Sequence, residues 1–513
     1  MTVSTPPGIG IAHIVDFALR RDPDETALVD DLGEITFGEV DRQADRLARS
    51  FRDEGVRPGD RVAIILPNCI PFIVTEVAAL RCGAVKVPLN IRFHINEVIY
   101  ALGDCRPTIL ICDEAYGRTL AGRRAEVSSL KAIYVVGDSV PGTLDWRRIV
   151  TSGARERKRD LYQPNYPILI RYTGGTTGRP KGIVHTEMSY VNTVLDCIRE
   201  LSIRGDDVAL HLGHLSHGLN FMWPAFFSVG ARQVLRERFD PKGVLADFAR
   251  HRITYVYMVP TMVQRLLKED DGSADVSSLR TFLYASAPMP VPILREAIRR
   301  FGNIFLQVYT LSECPVITTI LAPSEHVEKE TSAGTRLGSC GRPILTMEMR
   351  LLDDGGREVA FGEVGEIAVR SINNMAEYWN LPEQTAETLV DGWVRTGDMA
   401  RQDEEGFYYL VDRKKDVIIT GAFNVYPKEV EDVLYLHPAV AQCAAVGVPD
   451  EEWGEIIKAF VVLHSEQAAT AEELIELCKA NLASYKKPRQ VVFVESLPLS
   501  PVGKVMRRAL RDS

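Results

Sequence analysis

The chain has 513 residues, too many for one hydrophobic core, and this length predicts about three structural units. Hydrophobic residues make up 46% of the chain and charged residues 25%, which is ordinary for a globular protein. The 60 basic and 69 acidic side chains give a net charge of −9, which excludes the strongly basic surface of a nucleic-acid-binding protein. Any acidic ligand must therefore be bound by local donors rather than by a global field.

The cysteines and the N-terminal sequence indicate the cellular compartment in which the protein is expected. The nine cysteines are scattered and form no Cys-x-x-Cys pair, which argues against a zinc site or a disulfide framework and favours reduced thiols. The N-terminal residues carry neither basic residues nor an apolar stretch, so no signal peptide is predicted. No apolar run approaches the ~20 residues of a membrane span. We therefore expect a cytoplasmic protein without a transmembrane segment.

The N-terminal part alternates between helix and strand patterns. Apolar residues recur at helical spacing from Val40 to Phe51, and Gly55 follows as a terminator. A strand is then predicted over residues 61–66, a helix over 70–81, and strands over 84–88 and 133–136. This alternation indicates helices packed on a largely parallel sheet.

The segment 171–185, Arg-Tyr-Thr-Gly-Gly-Thr-Thr-Gly-Arg-Pro-Lys-Gly-Ile-Val-His, is the most informative. It overlaps an apolar run, 168–172, that predicts a buried strand. Glycines let backbone N–H groups approach an anion, hydroxyls add donors, and a lysine adds a full charge. The sequence therefore predicts a polyphosphate-binding loop made of these residues: Thr173, Gly174, Gly175, Thr176, Thr177, Gly178 and Lys181.

The loop is not one of the common nucleotide motifs. A Walker loop needs a second glycine and then Lys-Ser/Thr, whereas here Arg179 stands at the glycine position and Lys181 precedes Gly182. The spaced glycines of a dinucleotide fold are also lacking. A flexible surface loop rich in glycine and threonine is the alternative interpretation.

The pattern of predicted strands changes along the second half of the chain. Strands are predicted over 253–259 and 281–285, then two strands about an Asp-Gly turn in 350–359, and another over 365–370. The charged run 412–416 is typical of a solvated turn. We place a domain boundary there because the remaining ~100 residues form a compact α+β pattern of their own.

The loop at 171–185 closely resembles the phosphate loop of the adenylate-forming superfamily: acyl- and aryl-CoA synthetases, stand-alone adenylation domains and beetle luciferases. Further matches are Ala-Ser-Ala-Pro at 285–288, Tyr-Thr-Leu-Ser-Glu at 309–313, Trp-Val-Arg-Thr-Gly-Asp at 393–398 and Ser-Pro-Val-Gly-Lys at 500–504. The resemblance spans nearly the whole chain. It implies an α/β fold with a large N-terminal domain of helix-packed mixed and parallel β-sheets plus a distorted β-barrel subdomain. A small mobile α+β C-terminal domain completes it. The implied boundaries are 1–412, a hinge at 413–415, and 416–513.

The resemblance implies a nucleotide site. The ring of Tyr309 would lie against adenine, the Ser312 hydroxyl would bind the α-phosphate, and Glu313 would hold Mg²⁺, a hard cation that prefers oxygen. Asp398 would accept from the ribose hydroxyls, and Arg413 would be the second ribose contact. The other implied ATP-binding residues are the loop residues named above, Ser286, Ala287, Pro288, Thr310 and Lys504. Taken alone, Glu313 would more often be a solvated strand end, and a turn cap is the alternative interpretation of Asp398.

The implied chemistry has two half-reactions. A carboxylate attacks Mg·ATP to give acyl-adenylate and pyrophosphate, and a thiol then displaces AMP. Lys504 would be the main catalytic residue, assisted by Glu313 and Thr173, because a preplaced cation stabilises the charge that develops at phosphorus. Lys415 would be the hinge residue. Gly421, Ala422 and Phe423 would line the channel for the thiol of coenzyme A.

The acyl pocket is the least defined part. The implied lining residues are His217, Phe221, Met222, Tyr284, Thr310 and Leu311. Phe221 and Met222 could equally belong to the core, and the neighbouring His211 and His214 could be packed or solvated. Thr310 stands where the family usually has glycine, and Ala422 replaces the second glycine of a pair. These departures leave the acid and the geometry of the thiol channel open.

The resulting hypothesis is an AMP-forming acyl-CoA synthetase for a hydrophobic carboxylic acid, using ATP, Mg²⁺ and coenzyme A. A stand-alone adenylation enzyme that loads a carrier protein is the nearest alternative, and a luciferase-like oxygenase is a further one. A non-catalytic nucleotide-binding regulator belongs to a different class. The expected partners are small molecules, with a carrier protein and a homodimer left open, and with neither nucleic acid nor a membrane span.

Overall fold

A computed structural model describes residues 9–152, 154, 164–173, 180–420, 423–450, 452–465, 467–499 and 505–511. The α-helices within these ranges are Ile11–Arg21, Phe37–Asp53, Ile70–Arg81, Ile95–Cys105, Glu114–Gly122, Trp146–Ser152, Glu187–Glu200, Leu219–Val229, Pro241–His251, Pro260–Glu269, Val291–Phe301, Pro382–Thr388, Pro427–Leu434, Ala471–Asn481 and Arg507–Arg511. Three predictions from the sequence are confirmed: the helix at 70–81, the helix containing Val40 to Phe51, and the alternation of helices with strands in the N-terminal part.

The first large sheet carries the flanks of the predicted phosphate loop. Its eight strands run in the order Glu377–Tyr378, Lys181–Thr186, Pro167–Thr173, Val85–Pro88, Arg61–Ile65, Ile109–Asp113, Ala132–Val136 and Leu144–Asp145. The strands from Pro167–Thr173 onward are parallel, whereas Lys181–Thr186 pairs antiparallel with Pro167–Thr173. Thr173 and Lys181 are direct partners in this register, so the two ends of the loop are held together.

The second large sheet carries two of the other motifs. Its nine strands run in the order Arg342–Pro343, Thr319–Leu321, Phe305–Tyr309, Thr281–Tyr284, Tyr255–Met258, Val208–His211, Arg232–Leu235, Thr26–Asp30 and Gly33–Thr36. Phe305–Tyr309 is parallel to Thr281–Tyr284. Because carboxyl ends of neighbouring parallel strands meet at one edge of a sheet, residues 285–288 and 310–313 emerge side by side.

A third, antiparallel sheet follows, in which one prediction was wrong. It contains Met347–Leu352, Gly365–Ser371, Trp393–Gln402, Leu389–Val390 and Tyr408–Arg413. The predicted second strand of 350–359 is reduced to one isolated bridge between Leu352 and Glu358. Asp353 closes a tight turn by accepting from the backbone N–H of Arg357 at 2.8 Å. Met347–Leu352 pairs with Gly365–Ser371 instead, along its whole length. A two-stranded sheet of Glu330–Thr331 and Gly334–Thr335 lies apart.

The last sheet defines the C-terminal unit, and the rest of the chain is called the body. The strands of the unit are Phe423–Val425, Ile418–Thr420, Gly454–Leu463, Val440–Asp450 and Gln490–Phe493. Its buried residues, among them Val430, Leu434 and Leu474, form a core of their own with the helices Pro427–Leu434 and Ala471–Asn481. The structure confirms the predicted α/β fold with a small α+β unit at its C-terminal end.

A charged network lies deep inside the body. Lys86 and Glu76 are fully buried with their charged atoms 3.2 Å apart. Glu76 also accepts from the Asn220 amide and the Trp223 indole, each at 2.6 Å, and Lys86 donates to Tyr190 at 2.9 Å. Burial lowers the pKa of Lys86, and the Glu76 carboxylate opposes that shift. The helix Leu219–Val229 is thereby fixed to the first sheet.

Two further observations concern the cysteines and the length of the helices. All nine cysteines are unpaired. Within the described ranges, no helix combines the length and the apolar character needed to cross a bilayer.

Gly341 is the position where we predict the largest glycine effect. Its φ is +88°, and a Cβ there would overlap the backbone of Ile320 in the adjoining strand. We expect Gly341→Ala to lower the free energy of unfolding by roughly 3 kcal/mol or more, since left-handed backbone strain adds to a steric clash that cannot relax. Urea denaturation measures the change.

The matched control is Gly356→Ala. Gly356 has φ +78°, but open space surrounds the position of a Cβ, so only the backbone strain of about 1–2 kcal/mol applies. Equal losses in the two variants would contradict the assignment of Gly341 as a close-packing position.

Candidate nucleotide site

The flanks of the predicted phosphate loop converge on one tyrosine. The ammonium of Lys181 lies 5.2 Å from the ring centroid of Tyr378, and the Tyr378 hydroxyl donates to Oε1 of Glu313 at 2.7 Å. Burial and the adjacent Glu313 raise the pKa of Tyr378, so its hydroxyl remains a donor. The loop lysine and the predicted metal-binding carboxylate are therefore joined through one side chain that the sequence analysis missed. Gly174, Gly175, Thr176, Thr177 and Gly178 lie outside the described residues.

A second cluster unites three of the predicted nucleotide residues. The Tyr309 hydroxyl donates to Oδ2 of Asp398 at 2.5 Å, and Nε of Arg413 lies 2.6 Å from Oδ1 of Asp398. Burial is the main cause that raises the pKa of Tyr309, and Asp398 adds to it. Asp398 is thus held by a neutral donor at one carboxylate oxygen and by a cation at the other.

A cavity opens beside the segment predicted to line adenine. Tyr284, Pro288 and Gln307 of the body line it together with residues 337–340, Leu410 and Lys428. The Tyr284 hydroxyl lies 3.0 Å from His326. Ser286, with φ +74°, bonds to the Tyr257 hydroxyl at 2.7 Å, and Ala287 between Ser286 and Pro288 is half-buried. The 286–288 turn therefore borders a small cavity of about 20 Å³, which has room for about one water molecule.

The predicted acyl residues occupy the interior near this site. Phe221 is fully buried and Met222 is 3% exposed, while His217, Thr310 and Leu311 are half-buried. The ring of Phe221 packs against His185 at 5.3 Å between centroids. These contacts place Phe221 at the boundary between the core and the 309–313 segment.

The neighbouring histidines are packed rather than solvated. His211 bonds to Gln233 at 2.8 Å, and burial lowers its pKa to about 4. Burial, reinforced by Arg92, also lowers the pKa of His214 to about 4. Both imidazoles are therefore neutral at physiological pH.

Two buried residues that the sequence analysis did not single out converge on the carbonyl of Ser312. Nη2 of Arg171 lies 3.0 Å and Nε2 of His185 3.2 Å from that oxygen. A carbonyl only accepts, so both side chains donate and His185 carries its proton on Nε2. Burial is the main cause that lowers the pKa of Arg171 to about 10 and that of His185 to about 3. A charged residue inside the apolar run 168–172 was the signal in the sequence.

The backbone on the other side of Ser312 is held as well. The backbone N–H of Met375 donates to the carbonyl of Glu313 at 2.7 Å. Arg171 and His185 hold the Ser312 carbonyl, Tyr378 holds the Glu313 carboxylate, and this bond holds the Glu313 carbonyl. The predicted α-phosphate and metal residues are therefore restrained through three different groups. The segment is thus pre-organised before any ligand binds.

The remaining predicted residues lie at the junction between the body and the C-terminal unit and within that unit. Lys415 lies in the short helical turn Lys414–Asp416 that follows the strand Tyr408–Arg413. Phe423 is 49% exposed and stacks on Tyr485 with ring centroids 4.3 Å apart. Gly421, Ala422 and Lys504 lie outside the described residues.

The fit of the site to Mg²⁺ depends on Glu313. No group of three or more potential metal ligands occurs among the residues the structure describes. Mg²⁺ commonly binds through one or two carboxylates together with substrate phosphates and water. A single carboxylate beside a phosphate loop fits that mode, in which the nucleotide brings most of the ligands.

This fold and this arrangement of side chains define the class of adenylate-forming enzymes. The chain belongs to the AMP-binding enzyme family: the model of that family matches residues 15–379, and that of the AMP-binding enzyme C-terminal domain matches residues 429–504. The family predicted from the sequence motifs is therefore confirmed.

Named relatives cover almost the full chain. A medium/long-chain-fatty-acid–CoA ligase of Mycobacterium tuberculosis is 37% identical over 97% of this chain and 89% of its own length. A feruloyl-CoA synthase of an Amycolatopsis species is 36% identical, with 96% of each chain covered. The crystal structure of an anthranilate CoA ligase in complex with anthranoyl-AMP superposes with a TM-score of 0.91 at 28% identity, over 99% of this chain and 98% of that one. These similarities confirm the predicted fold and the class of acid–thiol ligases.

We predict that Arg171 fixes the Ser312–Glu313 segment. Arg171→Met removes one of two donors to the Ser312 carbonyl, and we expect kcat/KM for ATP–pyrophosphate exchange to fall by about 10- to 100-fold, the order that a misplacement of ~1 Å costs. Arg171→Lys, which keeps a donor and the charge, should recover part of the loss. Exchange of labelled pyrophosphate into ATP measures it.

The matched control is Arg357→Met, because the Arg357 side chain is 85% exposed and remote in the sequence from every motif. Thermal unfolding of all three variants separates loss of activity from loss of folded protein. An Arg171→Met variant that exchanges pyrophosphate like wild type would refute the positioning role.

Proposed function

We propose that this protein converts a hydrophobic carboxylic acid, ATP and coenzyme A into acyl-CoA, AMP and pyrophosphate. In the first half-reaction a carboxylate oxygen attacks the α-phosphorus, and the bond to pyrophosphate breaks. In the second, the CoA thiol attacks the acyl carbon, and AMP leaves. The observation that carries the proposal is the meeting of Lys181, Glu313 and Tyr378 beside Tyr309 and Asp398.

The nucleotide would span these clusters. Asp398 and Arg413 hold the ribose, and the Ser312 hydroxyl faces the α-phosphate. Thr173 and Lys181, at the paired ends of the loop, hold the outer phosphates together with the loop residues between them. Glu313 would hold Mg²⁺, which when bound offsets phosphate charge and orients the triphosphate. Lys181 and Arg413 place positive charge at this site, and the negatively charged phosphates of ATP complement it.

The two half-reactions would use different faces of the C-terminal unit. We infer a body of residues 1–412, a hinge at 413–415 and a mobile unit of 416–513. Lys504 would stabilise the transition state of adenylation. Rotation at Lys415 would then bring the loop of Gly421, Ala422 and Phe423 to the site, where it guides the thiol. Such a rotation dismantles one site while it assembles the next.

The acid would lie beside Phe221, Met222 and Leu311, with His217, Tyr284 and Thr310 completing the wall. The apolar character of this set favours a fatty or aryl acid, in line with the fatty-acid and feruloyl substrates named for the relatives. Coenzyme A is the acceptor best supported by those names. A carrier-protein phosphopantetheine is the alternative acceptor, since its thiol is chemically the same.

The test is a hydroxylamine-trapping screen over fatty, aryl and polycyclic acids with Mg·ATP. Hydroxamate and pyrophosphate should accumulate with at least one acid. The active acid is then offered with free CoA or with a holo carrier protein, and faster thioester formation with free CoA supports the proposal. Tight ATP binding without pyrophosphate release for any acid would indicate a regulator and contradict it.

The catalytic role of Lys504 leads to a prediction of its own. Lys504→Ala should reduce acyl-adenylate formation by about 100-fold or more, since it removes a charge that acts in the transition state. Thioester formation from supplied acyl-adenylate should stay within about 3-fold of wild type, because that step would use the other face of the unit. Stopped assays of each half-reaction measure the split.

Lys479→Ala serves as the control, because the Lys479 side chain is 51% exposed and pairs only with the exposed Glu476 among the described residues. If Lys504→Ala slowed both half-reactions equally, the division of labour between the two faces would be wrong.

A further inference from the structure

The strand Trp393–Gln402 carries a β-bulge opposite Glu366. In the register with the neighbouring strand, Glu366 faces Met399, whereas the residue two positions after Glu366 faces Arg395. The strand Trp393–Gln402 therefore accommodates two extra residues between these pairs. A bulge of this kind bends its strand and redirects the side chains within it. It contains Asp398, the residue that the proposed function assigns to the ribose.

The side chain of Glu366 binds this bulge at two points. Oε1 of Glu366 accepts from the backbone N–H of Gly397 at 3.2 Å, and Oε2 accepts from Nη2 of Arg395 at 2.7 Å. A third, longer contact joins Oε2 to Nζ of Lys414 at 3.4 Å. Gly397 has φ +70°, so the carboxylate holds a backbone conformation that residues with a Cβ rarely adopt.

Glu366 stays ionised although its side chain is only 8% exposed. Burial alone would raise the pKa of its carboxyl group, but the hydrogen bonds from Arg395 and Gly397 and the charge of Lys414 outweigh burial and lower the pKa. Hydrogen bonds to an ionised acceptor are stronger than those to a neutral one. Removing this charge would therefore weaken the restraint on the bulge.

The bulge borders a cavity with cationic walls. The cavity has a volume of about 350 Å³, which is within the range of small-molecule sites. Its lining includes Gly397, Arg413, Lys414 and Lys415. Three of these side chains are cations, which suits an anionic ligand such as a nucleotide. Nε of Arg413 lies 2.6 Å from Oδ1 of Asp398, so the Asp398 carboxylate lies next to this wall.

We propose that Glu366 is a positioning residue for the ribose of the nucleotide: its carboxylate keeps the bulge in the shape that holds Asp398 beside this cavity. The inference rests on the proposed function, in which Asp398 accepts from the ribose hydroxyls. Glu366 acts without touching the nucleotide, through Gly397, which adjoins Asp398 in the chain, and through Arg395. Loss of its charge relaxes the bulge, so contacts to the ribose weaken more than contacts to the phosphates, which other strands carry.

The test measures recognition of the ribose hydroxyls rather than overall activity. The kcat/KM for acid-dependent hydroxamate formation is measured with ATP, 2′-deoxy-ATP and 3′-deoxy-ATP, and the preference is the ratio of ATP to each analogue. We expect wild type to prefer ATP by about 10-fold over at least one analogue, the order of one hydrogen bond to a charged group. In Glu366→Gln, kcat/KM for ATP should fall about 10-fold, and the preference should drop to about 2-fold.

The preference distinguishes a positioning role from a general structural one. Because a ratio of two rates does not depend on the amount of folded enzyme, a loss of folded protein alone would leave the preference unchanged. Arg395→Met removes one partner of the same carboxylate and leaves its charge. It should give an intermediate preference, and it serves as the test where Glu366→Gln does not fold.

The matched control is Glu348→Gln. Glu348 lies on the other neighbour of the strand Gly365–Ser371, accepts from Arg370 at 2.7 Å, and has a side chain that is 50% exposed. This variant should keep the wild-type preference.

A wild-type preference in Glu366→Gln, or in Arg395→Met where Glu366→Gln does not fold, would overturn the inference. An equal loss of preference in Glu348→Gln would also overturn it. A wild-type enzyme that uses both deoxy analogues as well as ATP would instead overturn the ribose role proposed for Asp398, on which the inference rests.

Discussion

The carbonyl of Ser312 accepts hydrogen bonds from two fully enclosed side chains, and the geometry of the nucleotide site follows from that restraint. Arg171 comes from the strand before the phosphate loop and His185 from the strand after it. The two flanks of the loop are therefore tied to the end of a strand in the other large sheet. Relative movement of the two sheets would break both bonds, so the two strands that flank the predicted loop stay close to the segment that carries Glu313.

Much of this architecture could be predicted from local sequence. The strand before the loop follows from a short apolar run, and the helix Phe37–Asp53 follows from apolar residues at helical spacing. The composition of the loop itself led to the prediction of a phosphate site, which stays a prediction. The prediction of two strands in 350–359 was wrong, because an Asp-Gly turn indicates a reversal without specifying the partner. The strand Gly365–Ser371 offers a longer register to Met347–Leu352 than the short return segment does.

The residues that the sequence analysis missed share one property, which is distance along the chain. Arg171 lies 141 residues from Ser312, His185 lies 127 from it, and Tyr378 lies 65 from Glu313. Periodicity and motif spacing report on neighbours in sequence and carry no information about such pairs.

The enclosed pair of Glu76 and Lys86 has a consequence for how substrate preference can diverge in this fold. Asn220 and Trp223 are bound to Glu76, whereas Phe221, between them in sequence, packs against Tyr190 and His185. Changing Asn220 or Trp223 would remove one of the neutral donors to this buried carboxylate, which costs free energy because no water can replace it. Redesign of the proposed acid pocket would therefore change Phe221 or Met222 and keep Asn220 and Trp223, which support the buried carboxylate.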